Sequence, residues 1–332
     1  AKLCDWTYSD VSSRGGYVAG SIPKMIVSSP HAVSLWYVTQ SIVEPSIGIL
    51  VAGTRGVGKS TICTELLDRN RSKTMLTSRV ILSVQTSNHQ FQNMIERNLS
   101  KRQGNRYGPL PGKSLLILVE DLNIPQKDDW GDEPCAELMR FLLETQSLAS
   151  LQKPGEFKIL NDTKYVASAT CTQNGLDVLP ERLRTRCLVF MIPEPDFDSQ
   201  FGLFEQIILG RNRQFPAVAY ETKDAFVNAC AGAIKLVMAL QHELMPCRRF
   251  CHWSFNMHNV ARICQSLLAQ PPDAPLIASN KLFASFFYHE CERELCDQLP
   301  ENKRKEFHTI IEEICNAELK VDMRALRQAK PA

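Results

Sequence analysis

The sequence has almost no charge of one sign to spare: 38 lysines and arginines stand against 36 aspartates and glutamates, a formal charge of +2 at pH 7. That balance gives no electrostatic footprint for nucleic acid or an anionic membrane surface, and neither is expected as a partner. No apolar run reaches membrane-spanning length, and the N-terminus lacks the basic-then-apolar pattern of a secretory leader. The 12 cysteines follow no framework spacing, so reduced thiols in a cytoplasmic setting are expected. Glycine is nearly missing from one end, where only Gly232 follows Gly210. What remains is an ordinary globular composition, 44% hydrophobic over 332 residues, enough for two domains. The chain opens on Ala1 rather than Met and reads as a piece of something longer.

The glycine asymmetry marks a change of architecture. Short apolar runs with β-branched residues at 47–52, 80–84, 114–119, 165–170 and 187–192 predict five strands. Each is separated from the next by a segment able to hold a helix, which favours a parallel sheet with helices on its faces. Beyond Pro193-Glu194-Pro195 the pattern turns helical, over Phe201–Leu209, Lys223–Leu244, Asn256–Leu268, Asn280–Leu299 and Asn302–Glu318. The expected division is an α/β domain over 1–195 and an all-helical domain over 196–332.

Gly53-Thr54-Arg55-Gly56-Val57-Gly58-Lys59-Ser60 fits G-x-x-x-x-G-K-[ST], the phosphate-binding loop. It follows the apolar strand Ile47–Ala52 and leads into Thr61–Asp68, where Ile62 and Leu66 share a helical face, so its context is strand, loop, helix. The glycines allow a turn whose N–H groups converge on phosphate oxygens at a helix N-terminus. Lys59 is expected at the β- and γ-phosphates and the Ser60 hydroxyl on Mg²⁺. A chance match in a chain this long occurs about once in a hundred. Such a site needs a second strand ending in carboxylates, and Leu116-Ile117-Leu118-Val119-Glu120-Asp121 supplies one.

Around these motifs the chain resembles the dynein heavy chain AAA+ family, most closely its third module. The resemblance rests on Tyr107-Gly108-Pro109-Leu110-Pro111-Gly112-Lys113, Glu120-Asp121-Leu122-Asn123-Ile124-Pro125 and Glu137-Leu138-Met139-Arg140. Gln85-Thr86-Ser87 takes the place of the family's second-strand signature, and His252-Trp253-Ser254-Phe255-Asn256-Met257 is similar to its HYTFNL segment. Arg262 and Gln265 continue that match, and His289-Glu290-Cys291 with Cys296-Asp297-Gln298-Leu299 resembles a later helix. The likeness runs from about Ile22 to about Phe307. It implies an α/β P-loop NTPase fold with a five-stranded parallel sheet and a helical lid, binding ATP or ADP with Mg²⁺. It also implies a place beside neighbouring AAA+ modules of one heavy chain. Microtubules and dynein intermediate and light chains would be met through parts outside this sequence, in the cytoskeleton of cytoplasm or cilium.

The resemblance also assigns roles, and several positions depart from the pattern. Glu120 stands where the family's Mg²⁺-holding Asp belongs, and Asp121 where the catalytic Glu belongs. Mg²⁺ demands near-ideal octahedral geometry, so the extra methylene of Glu120 has to be accommodated. Thr170 stands where the family often places Asn to hold the attacking water. His258 replaces the lid arginine and brings no permanent charge. Arg182 matches the arginine that projects toward the neighbouring module's nucleotide, with Arg184 and Arg186 as alternatives. Ile22-Pro23 resembles the Val-Pro-Thr entry that flanks adenine, with Lys24 in place of Thr. The backbone of Gly53, Thr54, Arg55, Gly56, Val57, Gly58 and Thr61 completes the expected contacts. Misplacement of about 1 Å costs ~100-fold in rate, so retained binding with slow or absent hydrolysis is expected. A working ATPase and a scaffold without nucleotide are the alternatives.

Other constellations are weaker. Cys247, Cys251, His252 and His258 have loose spacing for zinc and are read as buried thiols with unrelated histidines. Asp128-Asp129 and Asp132-Glu133 are expected as a solvated loop before a helix near Pro134. Phe283, Phe286, Phe287 and Tyr288 read as core packing.

Overall fold

The computed structural model describes Val27 and residues 30–41, 46–153, 155–171, 179–214, 220–243, 255–270 and 279–323. The chain divides into two compact units, one of Ser28–Glu194 and one that contains Val27 and Pro195–Ala332.

The first unit opens with α1 (Pro30–Ser41), β1 (Gly48–Gly53), α2 (Lys59–Asn70), β2 (Met75–Ile81) and α3 (Asn88–Glu96). Two short strands follow, β3 (Ser100–Lys101) and β4 (Arg106–Gly108), then β5 (Ser114–Glu120) and α4 (Pro134–Thr145). It closes with β6 (Ser147–Ala149), β7 (Phe157–Leu160), β8 (Thr163–Thr170), the one-turn α5 (Glu181–Arg184) and β9 (Cys187–Ile192). A five-stranded parallel sheet has the order β2-β5-β8-β1-β9. β1 is buried at every position, and β5 at all but its first residue, which is why both read as unbroken apolar runs.

β2 is an edge strand with a polar stretch, and it runs from Met75 to Ile81 rather than over 80–84. The reason is a turn over Ser83–Thr86, in which Thr86 N–H donates to the Ser83 carbonyl at 3.0 Å and Thr86 Oγ1 accepts from Ser83 N–H at 2.9 Å. Ser87 then caps α3 in a capping box with Gln90.

Alternation divides the sheet residues between two faces. Leu50, Leu115, Ile117, Val119, Tyr165, Ala167 and Ala169 pack with Phe91, Ile95, Met139 and Leu142 of α3 and α4. Ile49, Val51, Leu116, Leu118 and Val166 pack with Leu35, Ile62, Cys63 and Leu66 of α1 and α2. A second sheet, β3-β4-β7-β6, has strands too short for the periodicity of the sequence to reveal.

The second unit comprises α6 (Phe197–Gln214), α7 (Tyr220–Glu243), α8 (Met257–Leu268), α9 (Asn280–Leu295), a 3₁₀ turn at Cys296–Gln298 and α10 (Glu301–Glu318). Its core includes Phe226, Ile234, Val237, Ile263, Phe287, Phe307 and Ile311, with Val27 packed against it. Phe283, Phe287 and Tyr288 are buried as the spacing suggests, and Phe286 is partly so. One correction concerns hydropathy. Asp224–Glu243 of α7 is long and apolar enough by composition to cross a membrane, but Ala229, Cys230, Ala233, Ile234 and Leu236 are buried within this unit. Gly232 has a packing role: a Cβ there would lie 3.0 Å from Ile314 Cγ2 of α10. Among the described residues every cysteine is a free thiol. Ile22, Pro23, Lys24, Cys247, Cys251 and His252 lie outside the described residues.

Candidate functional site

The loop between β1 and α2 is built by its backbone. Gly56 and Gly58 have φ of 82° and 87°, values that L side chains resist. Gly58 is the cap from which α2 starts at Lys59, with no side chain accepting its first N–H groups. At the loop's start, a Cβ on Gly53 would meet the Ile192 carbonyl oxygen at 2.9 Å. The first turn of α2 thus starts from a glycine with no side-chain acceptor at its cap, and a helix N-terminus of this kind is an arrangement that binds anions. Ser60 and Thr61 are exposed on the first turn of α2, Val57 is buried beneath the loop, and Arg55 is exposed.

Lys59 is buried, and its ammonium donates to the carbonyls of Gly53 at 3.0 Å and Thr54 at 2.6 Å. Burial lowers its pKa from 10.5, and the charge of Asp121 opposes that shift. Thr54 Oγ1 is buried without a hydrogen-bond partner.

Parallel pairing brings the ends of three strands together. Gly53 of β1 is in register with Thr170 of β8, and Cys171 N–H donates to the Gly53 carbonyl at 2.9 Å. The Asn123 amide clamps Thr170 from the turn after β5, accepting from its N–H at 3.1 Å and donating to its carbonyl at 3.2 Å. Asp121 takes a left-handed backbone, φ 57°, with its N–H donating to buried Ser168 Oγ at 3.2 Å. Asp is among the few residue types that tolerate this conformation. Glu120 is buried on the α2 face; its Oε2 lies 2.7 Å from Arg79 Nη2, and its Oε1 has no hydrogen-bond partner. Cys63 lies close by, its thiol pushed up to about 12 by burial and by the charge of Glu120.

The structure thus gathers Gly53, Lys59, Glu120, Asp121 and Thr170 at one end of the sheet. Arg79, Ser168 and Asn123 belong to the same group, and sequence reasoning gave them no role. Arg79 gives no signal in the sequence, because the predicted strand begins at residue 80, after it.

Arg182 lies elsewhere in this unit. It lines a cavity of about 450 Å³ with Lys127, Gly131, Asp132, Glu133, Glu137 and Pro180, to which no loop residue contributes. Its side chain is 72% exposed, 3.9 Å from Glu137 Oε2. Arg186 is paired with Glu144 at 3.0 Å. Glu133 corrects the expectation of a wholly solvated acidic loop: it is buried and paired with Lys127 at 2.9 Å. In the helical unit His258 is exposed at the start of α8, where its N–H donates to Asn256 Oδ1 at 2.9 Å.

A parallel sheet in this order, with a phosphate loop leaving its penultimate strand and acidic residues ending another, defines a P-loop nucleotide-binding domain of the AAA+ type. The family model described as the P-loop containing dynein motor region matches residues 19–195. The chain belongs to that family and is a P-loop AAA module of a dynein heavy chain. Mouse dynein axonemal heavy chain 5 is 26% identical over 274 residues, covering 82% of this chain. Human dynein axonemal heavy chain 8 is 26% identical over 298 residues and covers 87% of it. The Chlamydomonas reinhardtii dynein gamma chain of the flagellar outer arm is 24% identical over 310 residues and covers 89%. The chain spans only 6%, 6% and 7% of the lengths of these three relatives.

Proposed function

We propose that this chain is a regulatory module of a dynein heavy chain that binds ATP or ADP and turns it over slowly or not at all. The observation that carries the reading is a glycine-built phosphate loop, uncapped by any side chain, at the end of the sheet where Glu120 is engaged by Arg79. In this reading binding rests on the amides of 54–61 and on Lys59. Hydrolysis needs a metal-holding carboxylate, a polarising base and a water-holding polar group together. Glu120 shares its charge with a guanidinium, Asp121 is one methylene shorter than Glu, and Thr170 offers a hydroxyl in place of an amide.

Mg²⁺ fits the residues present. The exposed Ser60 hydroxyl and the unpartnered Glu120 Oε1 are the oxygens that would hold it. When bound, such an ion neutralises phosphate charge.

In this reading residues 1–195 are the nucleotide lobe and 196–332 the lid, where His258 takes the place of a charged contact. Ile22 and Pro23 flank the base. Arg182 reaches the neighbouring module's nucleotide, a role for which its exposure suits it better than Arg186. The module is the third of its ring, and nucleotide biases the ring through differential affinity for its conformations. Microtubules and the dynein intermediate and light chains are engaged by other parts of the heavy chain. The relatives named axonemal and flagellar support a place in the cytoskeleton of a cilium.

Chromatography of the denatured, purified chain is expected to release ATP or ADP. Single-turnover mixing with radiolabelled ATP should then give binding without brisk phosphate release. Rapid release that disappears in Lys59→Ala would establish a working ATPase instead.

A further inference from the structure

Arg79 is a charged residue within the sheet for which the phosphate loop has no evident use. It lies on β2 in register with Leu118 of β5, and alternation puts both on the α2 face, where Glu120 follows two residues later. Diagonal neighbours on adjacent strands lie within reach of long side chains. Arg79 Nη2 sits 2.7 Å from Glu120 Oε2, with the Arg79 side chain 42% exposed and that of Glu120 only 4%. A carboxylate that deep is costly without a countercharge. In P-loop sites the cation at this strand end neutralises charge. Here a permanently charged guanidinium already lies on one of the two oxygens.

We propose that Arg79 stands in for part of the divalent cation's charge at Glu120, so that this chain's affinity for nucleotide depends only weakly on that cation. The inference rests on the nucleotide-binding reading given above. Two effects act in the same direction. An uncompensated Glu120 would repel phosphates unless a cation intervened, and Arg79 quenches that repulsion beforehand. A cation arriving at Oε1 meets a carboxylate that shares its charge, and so gains less from it. At separations of several ångströms in a partly screened site, one such charge is worth about tenfold in a binding constant.

The test is calorimetric titration of the chain with the β,γ-imido analogue of ATP, in excess Mg²⁺ and again in EDTA. Wild type should change its Kd by less than about threefold between the two, Arg79→Met should lose about tenfold in EDTA alone, and Arg79→Lys should follow wild type. A larger loss in wild-type EDTA titrations, or an Arg79→Met chain as indifferent to Mg²⁺ as wild type, overturns the proposal and leaves nucleotide binding standing. Absence of binding by wild type in both buffers overturns the nucleotide reading, and this inference with it. The wild-type comparison decides alone if circular dichroism shows that Arg79→Met does not fold.

Discussion

At the scale of a single residue, the proposed role of Lys59 carries a test in pH. Its ammonium is held by two carbonyls in a buried position, and burial brings its pKa below 10.5. A phosphate is favoured by the charged form. In the proposed site, affinity should therefore fall as pH rises through the lowered value. Titrations from about pH 7 to about pH 10 should show that decline in wild type, while Lys59→Ala binds roughly 10- to 100-fold more weakly at neutral pH, the worth of a charged hydrogen bond, and loses the dependence. A flat wild-type profile would place the binding energy in the amides alone.

At the scale of elements, the site depends on how strand ends are pinned. Asn123 joins the turn after β5 to the last residue of β8 through two hydrogen bonds. Asn123→Ala should cost about 1–3 kcal/mol of stability, because it leaves both Thr170 backbone groups unpaired. Urea unfolding followed by circular dichroism measures this; an unchanged midpoint would mean the clamp is incidental. The same element explains what could be read in the chain beforehand. The loop is local, eight consecutive residues whose spacing is their geometry, and β1 and β5 announce themselves because burial on both faces demands apolar runs. Glu120 was legible as an acidic strand end, but its partner Arg79 lies 41 residues away and meets it only because β2 pairs with β5. β2 itself was misplaced because an edge strand can be polar, as Thr77, Ser78 and Arg79 are. A charge run such as 128–133 reads as solvated, and the burial of Glu133 follows from a partner, Lys127, that the run itself does not name.

On the scale of the whole molecule, two cores of different character lie in one chain, a sheet between helical layers and a helical bundle. The order of strands leaves β9 on a rim of the sheet with Leu188, Val189 and Met191 exposed. Among the described residues β9 pairs only with β1, and such an edge beside exposed aliphatic side chains is a template for self-association. Solutions of the isolated chain should accordingly form higher-mass species as concentration rises, and Val189→Lys should suppress them without altering the circular dichroism spectrum. Sedimentation velocity measures both. If that rim is what drives association, any preparation of this chain in isolation works against a stickiness for which a gatekeeper lysine is the remedy.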